Sequence, residues 1–522
     1  MIDLNHIHAL ADVTRYGARH YAQNTALNFS GKATTYAELD DRASRLANGL
    51  LEEGCAPGSR ISILSKNSDL YFDVIFGAAK ARLTTVCVNW RLAPPEIVFV
   101  LNDARAQILF VGHEYYDVIE KIRGELPHLR TIIALDGGHR EWASYEEWRH
   151  RQAATDPALD EQANDTVIQM YTSGTTGSPK GVEISNKNII AFFGVINAMT
   201  WSNCDTQTRL LAVMPLFHLA GMDAALMTLA QGGQCIIQRD FEANLLIGTI
   251  GAHKITHAML VPAAMLFMLQ QPEVKNADFS SLRYIIYGSA PMAEALLRQA
   301  RDVFGCGFAQ VYGLTESMGV GTCLTPEDHA ERPQKLKSCG RVIKGIDIRL
   351  VTSDGSEAKP GEVGEVLIRS DCVMKGYWNR PQANAETIVD GWLRSGDAAY
   401  MDDEGYFYIH DRIKEMIISG GENIYPAEVE SAIFSHPKIA DVAVIGVPDE
   451  KWGESVKAIV VVKKGEKLTP EEITAFARER LAAYKCPKSV DFTDALPRNA
   501  SGKILRRELR KPYWEGRERL VS

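Results

Sequence analysis

The sequence predicts an α/β fold, in which a large N-terminal domain of layered sheets and helices precedes a small α+β C-terminal domain on a hinge. The first observation is the length of 522 residues, which exceeds the size of about 150 residues that is typical of one domain. The second is the alternation of short β-branched runs with amphipathic segments, which is typical of strands and helices packed in layers. The third is a change in amino-acid composition near Asp411, where a charged stretch is followed by an apolar stretch and then by a Gly-rich stretch. We therefore expect one domain at 1–412 and a second, mobile one at 413–522.

Local signals place the elements in order along the chain. Thr35 and Glu38 form a capping box, which predicts a helix whose buried face carries Leu39, Ala43, Leu46 and Leu50. Short apolar runs predict strands at Ile61–Leu64, Thr131–Leu135 and Tyr284–Tyr287. In the C-terminal domain, the same pattern predicts strands at Val442–Val447 and Val456–Val462. A further helix is expected to begin at the capping sequence Thr469-Pro-Glu-Glu472.

Composition and charge exclude several classes of protein. With 46% hydrophobic and 24% charged residues, the chain resembles globular proteins, which excludes disorder and collagen-like repeats. The net charge of −9 argues against a nucleic-acid or anionic-membrane partner, because such a surface needs a basic field.

Neither a signal peptide nor a membrane span is predicted. Polar residues interrupt the N-terminal segment, and the most apolar stretch, Leu210–Gln238, contains Pro215 and Asp223, so we expect buried core there. The 9 cysteines are odd in number and form no C-x-x-C pair, which indicates reduced thiols in a cytoplasmic protein without a zinc site.

The strongest functional signal is Tyr171-Thr-Ser-Gly-Thr-Thr-Gly-Ser-Pro-Lys-Gly-Val182, which follows the apolar run Val167–Met170. Its glycines allow backbone N–H groups to turn inward, and its hydroxyls and Lys180 add donors and a charge, which suits a polyphosphate. It is not a Walker loop, because Pro179 precedes the lysine and Gly181 follows it. Composition alone would also fit a flexible surface loop.

This segment resembles the phosphate loop of the adenylate-forming superfamily, which includes acyl-CoA synthetases, adenylation domains of peptide synthetases and firefly luciferase. Segments similar to other motifs of the family follow in the expected order over nearly the whole chain: Leu216–His218, Tyr287–Pro291, Gln310–Glu316, Ser395–Asp397, Asp411–Lys414 and Pro497–Lys503. The chain is therefore identified as a member of this superfamily, in its acyl-CoA synthetase branch. It departs from the commoner pattern at 183–187 and at Cys486, neither of which carries the chemistry.

The resemblance implies a nucleotide and coenzyme A site. The residues that it assigns to this site are Thr172, Ser173, Gly174, Thr175, Thr176, Gly177, Gly288, Ser289, Ala290, Gln310, Tyr312, Gly313, Thr315, Asp397, Arg412, Lys414, Gly420 and Gly421. Among them, Asp397 and Arg412 are assigned to the ribose, and the flat adenine is expected near Tyr312. The metal contacts for Mg²⁺ are Thr175 and Glu316, because hard oxygen ligands suit this ion between phosphates.

Catalytic roles are assigned by the same resemblance to Lys503, Lys180, Glu316 and His218. Lys503 is expected to bridge the acyl carboxylate and the α-phosphate, although from the residues alone it would belong to a cationic surface tail. His218 is expected to bind substrate rather than to act as a base, and a core histidine is the ordinary alternative. Lys414 matches the hinge, and Gly420 and Gly421 match the wall of the pantetheine tunnel.

The positions that resemble the acyl pocket are mostly small or apolar: His218, Ala220, Gly221, Ala290, Gly313 and Met318. No Arg or Lys stands among them, which disfavours a dicarboxylate. Small residues leave a long tunnel or a broad slot, so we expect a medium- or long-chain fatty acid, with an aryl or arylpropenoic acid as the alternative.

The implied function is that of an ATP-dependent acyl-CoA ligase. It activates a carboxylic acid as acyl-AMP with release of pyrophosphate and then transfers the acyl group to coenzyme A, using ATP, Mg²⁺ and coenzyme A. The expected partner is a small-molecule carboxylic acid, and a homodimer is compatible with the sequence. Two alternative functions fit part of the pattern. One is a free-standing amino-acid adenylation enzyme, which would pass its acyl group to a carrier domain. The other is a non-catalytic protein that binds an acyl group or a nucleotide and has lost its catalytic residues. The presence of Thr175, Lys180, Glu316 and Lys503 disfavours decay.

Overall fold

The computed structural model describes residues 1–172, 179–202, 204–290, 292–412, 415–420, 422–499 and 502–515, without the side chains of Asp411 and Arg412. The strands in this part of the chain are β1 (Thr25–Phe29), β2 (Lys32–Thr35), β3 (Arg60–Leu64), β4 (Thr84–Cys87), β5 (Ile108–Val111), β6 (Thr131–Ala134), β7 (Ala143–Ser144), β8 (Thr166–Thr172), β9 (Lys180–Ser185), β10 (Arg209–Ala212), β11 (Gln234–Ile237), β12 (His257–Leu260), β13 (Tyr284–Gly288), β14 (Gly307–Tyr312), β15 (Thr322–Leu324), β16 (Arg341–Val342), β17 (Asp347–Val351), β18 (Gly364–Arg369), β19 (Gly376–Tyr377), β20 (Ile388–Val389), β21 (Trp392–Met401), β22 (Phe407–Arg412), β23 (Ile417–Ser419), β24 (Glu422–Ile424), β25 (Ile439–Asp449), β26 (Gly453–Val462) and β27 (Ser489–Phe492).

The α-helices alternate with these strands. They are α1 (Asp12–His20), α2 (Tyr36–Glu52), α3 (Leu70–Lys80), α4 (Pro94–Ala104), α5 (Tyr116–Ile122), α6 (Tyr145–His150), α7 (Asn186–Ala198), α8 (Leu219–Leu229), α9 (Ala243–Ala252), α10 (Pro262–Leu269), α11 (Glu294–Phe304), α12 (Pro326–Glu331), α13 (Pro381–Thr387), α14 (Pro426–Phe434), α15 (Pro470–Arg478) and α16 (Arg506–Trp514).

Two large sheets form the main body of the protein. One has nine strands in the order β16-β15-β14-β13-β12-β10-β11-β1-β2, and the other has eight in the order β19-β9-β8-β4-β3-β5-β6-β7. The stretch from β14 to β1 is parallel throughout, as is the stretch from β8 to β7. Parallel strands need crossover connections, which the intervening helices provide.

One apolar core is shared by both large sheets and by the helices α2, α3 and α8. It contains Ile61 of β3, Leu210 of β10, Leu46 of α2, Phe76 of α3 and Leu226 of α8. Strand β5 is buried at every position, which explains why its sequence, Ile108-Leu-Phe-Val111, is a continuous apolar run rather than an alternating one.

Two smaller sheets complete the structure. Strands β17, β18, β21, β20 and β22 form an antiparallel sheet that ends at Arg412. Strands β24, β23, β26, β25 and β27 form the fourth sheet, which has its own apolar core with α14 and α15, around Val429, Val444 and Ile473.

The local signals in the sequence are confirmed by the structure. The capping box of Thr35 and Glu38 begins α2, and Leu39, Ala43, Leu46 and Leu50 on that helix are buried. The capping box of Thr469 and Glu472 begins α15 with Pro470 in its first turn. Each predicted strand is found: β3, β6, β13, β25 and β26.

The apolar stretch Leu210–Gln238 forms β10, α8 and β11, and most of it is buried. Among the described residues, every helix is too short or too polar to cross a bilayer. All nine cysteines are free; eight are buried and Cys306 is half-buried.

Candidate active site

Several of the predicted site segments converge at the carboxyl edge of the nine-stranded sheet. His218 follows β10, Gly288 ends β13, and Gly313 follows β14. Because β10, β12, β13 and β14 are parallel, their carboxyl ends lie at the same edge. Ligands of open α/β sheets bind outside these ends, so the topology supports one common site.

Tyr312 and Asp397 connect two of the motifs directly. The Tyr312 hydroxyl donates a hydrogen bond of 2.7 Å to Oδ2 of Asp397, which is buried. Asp397 lies inside β21, directly after Gly396, whose φ is +71°. Its backbone pairs with that of Arg412 on β22, which brings the two residues assigned to the ribose together.

A second group joins Glu316, Tyr377 and Lys180. The Tyr377 hydroxyl donates a 2.9 Å hydrogen bond to Oε1 of Glu316, and Nζ of Lys180 lies 4.9 Å from the centroid of the Tyr377 ring. Antiparallel pairing of β19 with β9 positions Tyr377 next to Lys180. The backbone N–H of Met374 donates to the carbonyl of Glu316 at 2.8 Å, which fixes the short turn that carries this carboxylate.

These residues fit a divalent cation beside phosphates. Glu316 offers the hard carboxylate oxygen that Mg²⁺ prefers, and the Tyr377 hydroxyl orients the carboxylate. Lys180 adds a positive charge on the same side. The other predicted metal contact, Thr175, lies outside the described residues.

The chain bends at Ser289 and Ala290, directly after Gly288 ends β13. Ser289 is exposed and has a φ of +64°, and Ala290 is half-buried. A Cβ atom on Gly288 would lie 2.3 Å from the carbonyl oxygen of Val311 on β14. Close packing against β14 is therefore sufficient to explain why a glycine occupies position 288. Gln310 lies on β14, where its Oε1 accepts a 3.3 Å hydrogen bond from the Tyr287 hydroxyl.

His218 precedes α8 as its N-cap residue. Its Nε2 is enclosed and has no hydrogen-bond partner among the described residues. Burial, with a smaller contribution from the charge of Arg91, lowers the pKa of His218 to about 4. The ring is therefore neutral near pH 7, which agrees with a binding role better than with a proton-accepting one.

The predicted acyl positions divide into two groups. Ala220, Ala290 and Gly313 are half-buried, whereas Gly221 and Met318 are buried. A Cβ atom on Gly221 would lie 2.6 Å from the carbonyl oxygen of Met214, and one on Gly313 would lie 2.3 Å from the carbonyl carbon of Gly319. These glycines allow close backbone packing, so replacing Gly221 by a bulky residue would disturb the helix rather than only fill a tunnel.

The loop that carries Lys503 contacts the edge where the other segments meet. Asn499 forms hydrogen bonds of 2.8 Å with both the N–H and the carbonyl group of Lys503. A Cβ atom on Gly502, whose φ is +79°, would lie 3.1 Å from Cγ2 of Val261, the residue that follows β12. The loop that carries Lys503 therefore lies beside the carboxyl edge of the nine-stranded sheet.

Gly420 lies in the turn after β23. Its N–H donates a 2.8 Å hydrogen bond to the carbonyl of Trp452, and a Cβ atom on it would lie 2.6 Å from that indole ring. Close packing against Trp452 therefore requires a glycine here, and the assignment of Gly420 to the pantetheine tunnel stays a prediction.

Several predicted residues lie outside the described part of the chain. They are Ser173, Gly174, Thr175, Thr176, Gly177, Lys414 and Gly421. Thr172 ends β8, and Thr315 begins the short turn with Glu316.

Two residues at this site were missed by sequence reasoning. Tyr377 is separated from Glu316 by 61 residues, and no local pattern marks it. Asp223 was noted only as a residue that interrupts an apolar stretch; it lies on α8, where it is buried. An acidic residue in an apolar helix was the one signal that pointed to it.

Comparisons with known proteins extend over the whole chain. The model of the AMP-binding enzyme family matches residues 14–378, and the model of the AMP-binding enzyme C-terminal domain matches residues 428–503.

Among curated relatives, the fatty acid–acyl-carrier-protein ligase ScoC of Streptomyces coeruleorubidus is 38% identical over 99% of this chain and 98% of its own. The feruloyl-CoA synthase of an Amycolatopsis species is 39% identical over 95% and 97%, respectively. The long-chain-fatty-acid–CoA ligase FadD13 of Mycobacterium tuberculosis is 40% identical over 92% and 93%. Among solved structures, the anthranilate CoA ligase AuaEII in complex with anthranoyl-AMP superposes with a TM-score of 0.90 at 28% identity, covering 97% of each chain.

Proposed function

The chain belongs to the AMP-binding enzyme family, and from this premise we propose that it is an AMP-forming acyl-CoA ligase acting on a carboxylic acid with a long apolar body. The observation that carries the proposal is the convergence of His218, Tyr312, Glu316 and the Lys503 loop at one sheet edge. The enzyme uses ATP, Mg²⁺ and coenzyme A.

In the first half-reaction, the carboxylate of the acid attacks the α-phosphorus of ATP, and pyrophosphate leaves. The physical obstacle is the approach of one anion to another. Lys180 and Lys503 offset this repulsion with fixed positive charges, and a preorganised charge costs no rearrangement when the reaction occurs. Bound Mg²⁺ would supply further positive charge to the phosphate oxygens, held by Glu316 and Thr175.

The nucleotide is held by the second group of residues. Asp397 offers its carboxylate to the ribose diol, and Tyr312, which donates to this carboxylate, keeps it oriented. Arg412 is paired with Asp397 through the backbone and is assigned to the same ribose. The adenine is assigned to the turn at Gly288–Ala290, which has little side-chain bulk.

In the second half-reaction, the thiol of coenzyme A attacks the acyl carbonyl and AMP leaves. Because the Lys503 loop contacts Val261, we infer that the structure has the arrangement for adenylation. Thioester formation requires this loop to withdraw, and the domain at 413–522 is proposed to rotate about Lys414. The half-buried neutral ring of His218 would then lie between the acyl carbonyl and the thiol path.

The acid itself is proposed from the character of the pocket. Ala220, Ala290 and Gly313 leave room, and none of the assigned positions carries Arg or Lys, which disfavours a second carboxylate on the acid. A medium- or long-chain fatty acid fits this description, and an aryl or arylpropenoic acid is the alternative. The nine free cysteines, mostly buried, support a cytoplasmic location.

The test is a panel of fatty, aryl and amino acids with ATP, Mg²⁺ and coenzyme A, followed by AMP release and thioester formation. We expect AMP release that depends on both the acid and the thiol, with fatty or aryl acids preferred over amino acids. The proposal would be contradicted if only amino acids supported AMP release, or if AMP were released without formation of a thioester. A parallel reaction, in which a phosphopantetheinylated carrier protein replaces coenzyme A, shows which of these two thiols accepts the acyl group.

A further inference from the structure

Asp223 is a buried carboxyl group in the region assigned to the acyl chain. It lies on α8, and 8% of the residue is exposed. Its Oδ1 has no hydrogen-bond partner among the described residues. A buried polar atom without a partner is costly, so an unpaired one in a functional region indicates a group that is supplied from outside the protein.

The surroundings of Asp223 place it at the pocket rather than in the general core. Ala220, a half-buried position assigned to the acyl chain, precedes it by three residues and therefore shares its helix face. A Cβ atom on Gly319 would lie 3.5 Å from Oδ2 of Asp223, and Gly319 in turn packs against Gly313. The carboxyl group thus lies between two segments assigned to the acyl pocket.

Burial favours the protonated form of this carboxyl group. It raises the pKa of Asp223 well above the usual range of an aspartate. Burial raises the pKa of the Cys372 thiol to about 12, and the negative charge of an ionised Asp223 adds to this rise. The two side chains are therefore close to each other. A neutral carboxyl group both donates and accepts one hydrogen bond, as a hydroxyl group does.

We propose that Asp223 is a specificity residue that hydrogen-bonds a hydroxyl group on the acid substrate, remote from the reacting carboxyl group. The proposal rests on the acyl-CoA ligase activity proposed above and names the substrate class for the same site. Asp223 lies five residues beyond His218, or about 7.5 Å along the helix axis at 1.5 Å per residue. We therefore expect the enzyme to select an acid whose hydroxyl group lies at roughly this distance from its reacting carboxyl group.

An acid that carries only hydrogen at that position would leave the carboxyl group of Asp223 without a hydrogen-bond partner. Sites built to bind a hydroxyl group reject the analogue that lacks it, because the buried polar group of the protein then has no partner. An ammonium group is disfavoured, because it would require Asp223 to ionise while buried.

The test uses matched acids that differ only in the terminal group. The pairs are 4-hydroxycinnamate with cinnamate and 6-hydroxyhexanoate with hexanoate, and AMP release gives kcat/KM for each. The wild-type enzyme is expected to prefer the hydroxylated member of at least one pair by about 10- to 100-fold. The aromatic and aliphatic pairs distinguish the two possible bodies of the substrate.

Two variants separate recognition from folding. Asp223→Leu is expected to abolish the preference while keeping AMP release with the unsubstituted acid, and Asp223→Asn is expected to retain it, because an amide still donates and accepts. The control is Thr228→Val on the same helix, whose hydroxyl group donates internally to the carbonyl of Ala224 at 2.8 Å. This variant should leave the preference unchanged, whatever its effect on stability.

Several outcomes would overturn the proposal. One is equal kcat/KM for the members of both pairs in the wild-type enzyme, and another is a preference that survives in Asp223→Leu. A higher kcat/KM for 6-aminohexanoate than for 6-hydroxyhexanoate would show an ionised aspartate instead. If no acid supports AMP release in the wild-type enzyme, the proposed function itself fails, which is a distinguishable result.

Discussion

The hydroxyl group of Tyr312 donates a hydrogen bond of 2.7 Å to Oδ2 of Asp397, across 85 residues of sequence. The tyrosine is the last residue of β14 in the nine-stranded sheet, and the aspartate lies on β21 in the smaller antiparallel sheet. One hydrogen bond thus connects the segment assigned to adenine with the segment assigned to ribose, and fixes the orientation of a buried carboxylate.

Tyr312→Phe is expected to weaken ATP binding about 10-fold, which corresponds to roughly 1.4 kcal/mol. The reason is that Asp397 loses the donor that orients it toward the ribose, and hydrogen bonds to charged groups contribute about 1.5–3 kcal/mol. Calorimetric titration with a non-hydrolysable ATP analogue measures the change.

The matched control is Tyr406→Phe, since its hydroxyl group donates to Oδ1 of buried Asp328 at 2.6 Å. This variant should lower the free energy of unfolding without affecting the nucleotide. If both variants weaken ATP binding equally, Tyr312 has no special relation to the ribose.

Glu316→Gln is expected to raise the Mg²⁺ concentration for half-maximal activity by about tenfold or more, because an amide is a much poorer ligand for a hard cation. Tyr377→Phe should produce a smaller rise in the same quantity, since the carboxylate remains but is less well oriented. The measurement is the initial rate of pyrophosphate release against free Mg²⁺ at constant ATP.

Glu294→Gln provides the control for this series, because Glu294 pairs with Arg298 on the surface of α11. An unchanged Mg²⁺ requirement in Glu316→Gln would remove this residue from the metal site.

Sequence reasoning succeeded where the information is local. Capping residues fix the start of α2 and α15, and a continuous apolar run fixes a strand that is buried on both faces, such as Val442–Val447 in β25. The motifs that follow β10, β13 and β14 lie near one another, because the carboxyl ends of parallel strands meet at one edge of the sheet.

The remaining features depend on contacts that no local pattern encodes. Tyr377 reaches Glu316 through the pairing of β19 with β9, and nothing near Tyr377 in the sequence indicates this. Gly288 and Gly313 were interpreted as ligand-facing, yet each packs against a neighbouring backbone. Asp223 illustrates the same limit, since only the three-dimensional structure shows that its Oδ1 has no hydrogen-bond partner in the described part of the chain.

Buried histidines are expected to make the protein less stable in acid. Burial lowers the pKa of His257 to about 4, with a further contribution from the charge of Arg283, and its Nε2 has no hydrogen-bond partner among the described residues. Since the unfolded chain binds a proton near pH 6.5 and the folded protein only near pH 4, stability falls as the pH drops through this range. The expected loss from this residue is about 2 kcal/mol between pH 7 and pH 5.

Urea unfolding at the two pH values tests this expectation in His257→Met. The difference in free energy between pH 7 and pH 5 should shrink by about 2 kcal/mol relative to the wild-type protein. His128→Met is the control, because this residue is exposed. A pH dependence that is unchanged in His257→Met would mean that His257 has the same pKa in the folded protein as in the unfolded chain.

Lys503→Ala is expected to slow adenylation by about 10²–10³-fold, judged from the loss of other preorganised donors that stabilise developing charge. A lysine suits this position because its ammonium group is a compact charge with three donors on a flexible stem. The loop around Asn499 and Gly502 holds it beside Val261 in the present arrangement. Because thioester formation requires this loop to withdraw, transfer from supplied acyl-adenylate to coenzyme A should be nearly unchanged.

Two half-reactions measured separately decide whether Lys503 has this role. Acid-dependent exchange between ATP and pyrophosphate reports adenylation, and thioester formation from synthetic acyl-adenylate reports transfer. Lys511→Ala is the matched control, because Lys511 is an exposed cation on α16 in the same basic segment, and its loss should affect neither rate. If transfer collapses together with adenylation in Lys503→Ala, the lysine is structural or acts in both steps. If Lys503→Ala behaves like Lys511→Ala, the residue belongs to a cationic surface tail, and the charge that offsets the repulsion between the acid and ATP must come from elsewhere.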